Sequence, residues 1–271
     1  MTAYWNTFEV TYRNLGAPLK PCLEDVRVIE VGLTQWCGEH VRPRYSALLC
    51  GVTPALAELR LPPGAHLLAV EQSQSMIEAI WPGDTPARTV MRGNWFELPI
   101  APRSCDIVLG DGCFNCVDYP DGYRGLFDSL CRVLARDGIV FMRFFMRPDE
   151  REDCDTVFDD LLAGRIPNFH IFKWRLAMAL QASTEEGIAV GAVYAAWAAR
   201  GIDTGGLAAE LNWPQAAIAT ICNYRDKDTR LSFPTRQEIR DAMPRGLREV
   251  LYREPGYPLG ERCPMFAYTP C

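Results

Sequence analysis

The order of apolar and polar positions divides the chain into three stretches. Between residues 46 and 145, short apolar runs alternate with amphipathic stretches, the pattern of a parallel sheet with helices on both faces. Runs at 47–50, 66–71, 87–91, 105–109 and 139–145 predict five strands, with Arg143 the one charge inside the last. Ser73 can cap a helix reaching Trp81, with Met76, Ile77 and Ile80 inward. Residues 121–135 place Tyr123, Leu126, Phe127, Leu130, Val133 and Leu134 on one helical face, stopped by Asp137 and Gly138. From 149 to 230 no strand is predicted. Helical segments are expected at about 150–163, 168–182, 188–200, 204–211 and 214–223. This block follows a strand's carboxyl end and is too long for a loop, so it reads as a helical cap over a crevice. Alternation returns in a capped helix at 235–242 and strands at 247–253 and 262–269. Their connection is too short for a parallel crossover, so this pair is expected antiparallel. The fold class is therefore α/β: a seven-stranded mixed sheet with one antiparallel strand near its edge and a helical cap insertion. The expected division is 1–45 (arm and helix), 46–148 (core), 149–230 (cap) and 231–271 (return to the core).

Two stretches compete for the ligand-binding turn. In Ser46-Ala47-Leu48-Leu49-Cys50-Gly51-Val52-Thr53-Pro54 an apolar run ends at a glycine that can turn tightly or admit a ligand. Thr53 can cap a helix whose first position Pro54 takes. Glu71 closes the next run 20 residues on (71 − 51), the spacing at which nucleotide-binding α/β units place an acid on ribose hydroxyls. The rival, Val28-Ile29-Glu30-Val31-Gly32, has Val52 rather than an acid twenty residues later. Val26, Ile29, Leu33 and Trp36 also fall at helical spacing, so 26–36 is expected to be helical and away from any ligand. A second lip is expected at Gly110-Asp111-Gly112, where Asp111 is equally readable as a turn former.

These residues resemble class I S-adenosylmethionine-dependent methyltransferases, over about 45–147 and 232–270. The resemblance implies a Rossmann-like core with S-adenosyl-L-methionine as cofactor. It implies Gly51 and Thr53 at the cofactor's amino-acid end, and Glu71 on the ribose, followed by Gln72. Met76 would lie beside the adenine and Asn94-Trp95 at its amine. Asp111-Gly112 would border the methyl group. Leu134-Ala135-Arg136-Asp137-Gly138 resembles the family's Leu-x-Pro-Gly-Gly turn. The departures are a glycine loop reduced to Gly51 and an uncharged Asn94 where the family carries an aspartate.

Composition narrows the rest. The 271 residues are 48% hydrophobic and 23% charged, with formal net charge −6, so no basic field draws the chain to nucleic acid. The start lacks a signal-peptide pattern and the longest apolar window is too short to span a bilayer, so a cytoplasmic protein without membrane attachment is expected. Eleven irregularly spaced cysteines suggest reduced thiols. Cys113-Phe114-Asn115-Cys116 lacks further ligands, so no metal is expected. Tyr4, Trp5, Phe8, Tyr12 and Asn14 form an aromatic arm that folds over a ligand or packs on the surface. His170 is a weak candidate for a base, against its reading as a satisfied polar residue on a packed helix. Arg143, Lys173 and Arg175 could meet an anionic acceptor but read more simply as solvated rim cations. Two functions stand: a methyltransferase acting on a small-molecule acceptor, or a catalytically inactive cofactor-binding or regulatory protein of the same fold. The acceptor and the oligomeric state are not legible.

Overall fold

The structure, a computed structural model, describes residues 12–271. Tyr4, Trp5 and Phe8 of the aromatic arm lie outside the described residues. The elements run α1 (Leu23–Glu39), β1 (Tyr45–Cys50), α2 (Pro54–Ala57), β2 (Ala65–Glu71), α3 (Gln74–Ile80), β3 (Arg88–Arg92), β4 (Cys105–Asp111), α4 (Asp121–Val133) and β5 (Leu134–Arg143). The block expected as a cap follows with α5 (Cys154–Leu162), α6 (Phe169–Leu180), β6 (Ile188–Ala189), α7 (Val190–Ala199), α8 (Thr204–Glu210), α9 (Gln215–Ala219) and β7 (Arg230–Leu231). The chain closes with α10 (Arg236–Ala242), β8 (Leu247–Arg253) and β9 (Met265–Pro270).

Seven strands form one sheet in the order β3-β2-β1-β4-β5-β9-β8. β1 to β5 are parallel, and β9 runs antiparallel to both β5 and β8. The sheet is buried on both faces because successive residues point to opposite sides. Ala47, Leu49, Ile107, Leu109 and Phe141 pack on Ile29, Leu33 and Trp36 of α1. Leu48, Val108, Val140 and Met142 pack on Leu126, Phe127 and Leu130 of α4 and Ile239 of α10. A third cluster fills the cap, with Val157, Phe158, Leu161, Phe172, Leu176 and Trp197, and meets the core at Phe145.

The helical reading of 26–36 holds, and Gly32 has a packing reason. A Cβ there would lie 2.7 Å from Cε1 and Cζ of Phe141, so the glycine lets α1 approach the sheet. Three expectations are corrected. The cap contains a two-stranded ribbon, β6 antiparallel to β7 through Ile188–Leu231 and Ala189–Arg230. Two residues per strand give no periodicity, so only the long-range pairing reveals them. Asp137 and Gly138 do not stop the helix. β5 starts at Leu134 directly after α4, and its pairing with β4 shifts between Cys105 and Ile107 to absorb them. Thr53 stands at the N-cap of α2 without a side-chain cap bond.

Two amides fasten the ends of the helical block at 149–230: Asn115 ties together the two chain segments that flank it, and Gln181 ties it to the returning segment. Asn115 Nδ2 donates to Phe145 O and Ser232 O, both at 2.7 Å, and its Oδ1 accepts from Phe145 N at 3.0 Å. Gln181 exchanges two 2.8 Å bonds with the Phe233 backbone. Both side chains are buried, so each bond also satisfies a group that would be costly unpaired.

Candidate active site

A cleft of about 1360 Å³, its open mouth included, lies at the carboxyl edge of the parallel strands. Open α/β sheets bind ligands at that edge. All nine residues expected at the cofactor line it: Gly51, Thr53, Glu71, Gln72, Met76, Asn94, Trp95, Asp111 and Gly112. Glu30 and Gly32 do not.

Gly51 ends β1 at φ +97°, a backbone that L side chains rarely adopt. The nearest heavy atoms to a Cβ built there are Glu71 Oε2 and Trp95 Cζ2, each at 3.8 Å. The turn is thus open space bounded by a carboxylate and an indole. Glu71 Oε1 accepts from Ser73 N at 2.8 Å, which fixes the carboxylate and leaves Oε2 on the glycine side. Burial pushes the Glu71 carboxyl up, with the Ser73 and Gln72 amides pulling it back. Ser73 caps α3 through Met76 N and so sets Met76 on the cleft wall. Trp95 Nε1 donates to Val70 O at 2.7 Å, the carbonyl that also accepts from Gly51 N at 2.8 Å. One carbonyl therefore ties the turn to the indole. Asn94 Oδ1 accepts from Phe96 N at 3.1 Å, capping a short 3-10 turn, and a carbonyl oxygen can accept a second bond.

Asp111 and Gly112 end β4. Gly112 has φ +64°, and a Cβ there would lie 2.7 Å from Phe145 Cε2. Arg143 Nε donates to Asp111 Oδ1 at 2.6 Å. Burial pushes the Asp111 carboxyl up while Arg143 pulls it back. Cys113 and Cys116 also line the cleft, donating to Cys50 O and Gly112 O. Burial pushes the Cys116 thiol up to about 12. The two thiols have separate acceptors, and no metal-binding group of three or more ligands occurs among the described residues.

The rest of the wall was not legible as site. The N-terminal segment contributes Tyr12, Leu15 and Leu19, and the cap side contributes Phe145, Trp174, Tyr224 and Leu231. Tyr12, Leu15 and Leu19 belong to the N-terminal stretch, and Trp174 and Tyr224 to the helical block, that sequence reads as able to cover a ligand; of the five, only Tyr12 was singled out by residue. His170 does not line the cleft. It is buried, lies 3.5 Å from where a Gly16 Cβ would stand, and is pushed down to about 4 by burial and by Lys173. The three cations are not solvated rim groups. Arg143 is buried between Asp111 and Asp25, Lys173 is buried on Thr220 Oγ1 at 2.7 Å, and Arg175 binds Glu152 and Asp160. None of them lines the cleft.

Residues 48–142 match the model of the methyltransferase domain. The chain is similar to the CcbJ methyltransferase of Streptomyces caelestis, at 12% identity over 100% of this chain and 98% of that one, with TM-score 0.55. A Thermotoga maritima protein, described as a SAM-dependent methyltransferase with histamine N-methylation as its suggested activity, superposes at TM-score 0.50. It shares 13% identity over all of both chains. A Rhodobacter sphaeroides protein, named provisionally as a zinc-dependent alcohol dehydrogenase, superposes at TM-score 0.57 with 14% identity over 100% and 99% of the chains. No curated protein matches the chain in sequence. At these identities the structures speak to the fold, and the domain match speaks to the class. The fold is that of the class I S-adenosylmethionine-dependent methyltransferases, and residues 48–142 carry the match to a methyltransferase domain. No helix among the described residues is long and apolar enough to cross a membrane.

Proposed function

We propose that the protein transfers a methyl group from S-adenosyl-L-methionine to a small-molecule acceptor held beneath the cap. The observation that carries this reading is the single cleft in which the nine cofactor-type residues and the cap-side aromatics share one wall. The open turn at Gly51, bounded by a carboxylate, fits a ribose diol, because an ionised carboxylate accepts two hydrogen bonds at once. When bound, the cofactor supplies a methyl carbon already activated on a sulfonium.

The residues then have three tasks. Glu71, Gly51, Thr53, Asn94 and Trp95 hold and orient the cofactor. Asp111 and Gly112 border the reacting carbon. Tyr12, Leu15, Leu19, Phe145, Trp174, Tyr224 and Leu231 exclude water and position the acceptor, which is where in-line transfer gains most of its rate. Burial holds the Tyr12 hydroxyl above its ordinary range and the Cys116 thiol near 12, so both keep their protons at neutral pH. Glu71 and Asp111 are the carboxylates of the wall. An acceptor whose lone pair is already free suits this surface better than one needing a strong base. We place the protein in the cytoplasm, without nucleic-acid partners, in keeping with its net charge of −6.

The reduced glycine loop supports a second reading, a cofactor-binding or regulatory protein without turnover. Calorimetry with S-adenosylmethionine and methyl transfer to a panel of neutral amines, thiols and phenols separate the two. Binding with turnover supports the enzyme, binding without turnover the second reading, and absence of binding overturns both.

A further inference from the structure

Four distant parts of the chain meet behind Asp111. Arg143 Nε donates to Asp111 Oδ1 at 2.6 Å, and Arg143 Nη1 reaches Asp25 Oδ2 at 3.4 Å and the Tyr257 hydroxyl at 3.2 Å. Tyr257 donates to Asp25 Oδ1 at 3.0 Å, and Cys22 N donates to Asp25 Oδ2 at 2.8 Å. The Arg143 and Asp25 side chains are each 1% exposed and that of Asp111 8%. Of the three, Asp111 alone lines the cleft.

In formal charges, two carboxylates stand against one guanidinium in the interior, a count of −1 (−2 + 1). A buried ion set of this kind contributes little to stability, because desolvation offsets the attraction. The other titratable groups facing it are Tyr12 from the N-terminal segment, Cys116 after β4, and Tyr257 and Cys263 from the β8–β9 connection, with Glu261 more remote. Burial pushes all four phenol and thiol groups up, so they remain neutral and cancel none of the excess. The excess charge reaches the cleft through Asp111.

We propose that Arg143 and Asp25 are positioning residues for Asp111, which faces the cation-bearing methionine end of the cofactor. Arg143 sets the orientation and favours the charged form of the carboxylate; Asp25 sets Arg143 and supplies the surplus negative charge. This rests on the cofactor reading above.

The two partners act on Asp111 with opposite sign, and that is what the experiment reads. The full chain carrying Glu71→Gln, which removes the other titrating carboxylate of the cleft, serves as parent. Calorimetry with S-adenosylmethionine from pH 4.5 to 8 locates the acid limb of its affinity. Adding Arg143→Gln removes the attracting charge and should move that limb up by at least about one pH unit. Adding Asp25→Asn removes a repelling charge, keeps an oxygen for Cys22 N, and should move the limb down. A purely structural role shifts neither limb and lowers affinity or melting temperature equally at every pH. Limbs that stay in place or move together overturn the proposal. If the Arg143 variant does not fold, the direction of the Asp25→Asn shift decides. Absence of binding by the wild-type chain marks failure of the cofactor reading itself; binding without opposed shifts marks failure of the positioning role alone.

Discussion

The cleft has two walls of different physical character. The wall built by β1 to β4 consists of strand ends, where backbone turns place polar groups: Gly51, Glu71, Asn94 and Asp111. The wall built by the cap and the N-terminal segment consists of packed side chains, with Leu19, Trp174, Tyr224 and Leu231 projecting from an apolar cluster and Leu15 buried beside them on the cleft. On the cofactor reading proposed above, the first wall would recognise a fixed ligand through a few directed bonds, and each bond needs one residue type at one spacing. The second would exclude water and shape a volume, and many sequences do that. The charges behind the walls differ in the same way. Behind the first, Arg143 is matched by two carboxylates. Behind the second, Lys173 is 0% exposed with a hydroxyl as its hydrogen-bond partner.

The largest effect that sharpens this contrast concerns Lys173. Burial pushes its amine down to about 7. Between that value and the ordinary 10.5 the unfolded chain binds the proton more tightly than the folded one, so stability rises with pH across this window and is flat below it. Lys173→Met should therefore stabilise the chain at pH 7 by on the order of several kcal/mol, at about 2–4 °C of melting temperature per kcal/mol, and abolish the rise. Thr220 loses no needed partner, since its hydroxyl donates to Ala217 O at 2.6 Å. Melting curves from pH 6 to 10 check this. A destabilised variant that still shows the rise would mean the amine is held by something stronger than a hydroxyl.

Next in size is the directed wall. Glu71→Ala removes a charged acceptor, and hydrogen bonds to charged groups contribute about 1.5–3 kcal/mol. Affinity for S-adenosylmethionine should fall at least about tenfold, one decade for each 1.4 kcal/mol. Glu71→Gln should fall less, because it keeps one oxygen. Burial raises the Glu71 pKa, so the folded chain is most stable with this group protonated, and Glu71→Gln should melt no lower than wild type at pH 7. Glu30→Ala, on the outer part of α1, should bind as wild type. Equal losses in Glu71→Ala and Glu30→Ala would erase the distinction between the two glycine turns.

What could be read from sequence follows the same division. Gly51 and Glu71 were legible because a turn and a strand-end acid must stand at a set separation. α1 was legible because Val26, Ile29, Leu33 and Trp36 repeat at helical spacing, which outweighed the glycine within it. The cap helices were legible to within a few residues, but not which side chains face the cleft, since Trp174 and the fully buried Phe172 lie on one apolar helix with little polar contrast. Arg143 was visible as a charge in an apolar run. Its partners Asp25 and Tyr257 lie 118 and 114 residues away, and no local pattern carries that.

The smallest effect concerns His170, which sequence offered as a base and the fold places away from the cleft wall. Its neighbours are the backbone at Asn14 and the cations Lys173 and Lys20. With Gly16 against its ring and Asn168 Nδ2 donating to Ala17 O at 3.2 Å, this end of α6 fastens the segment that carries Tyr12, Leu15 and Leu19. Its pKa is lowered from 6.5 to about 4, so the unfolded chain takes up a proton that the folded one refuses. Stability should fall as pH drops through 6.5 toward 4, by about 1–2 kcal/mol at pH 5. His170→Gln should remove that part of the acid slope and leave affinity for S-adenosylmethionine at pH 7 within about twofold, because the side chain touches only the fastening. Melting curves from pH 4.5 to 7.5 alongside calorimetry at pH 7 test both halves. If turnover falls a hundredfold with binding intact and the acid slope unchanged, the histidine works on the acceptor. The cap wall then carries chemistry as well as shape.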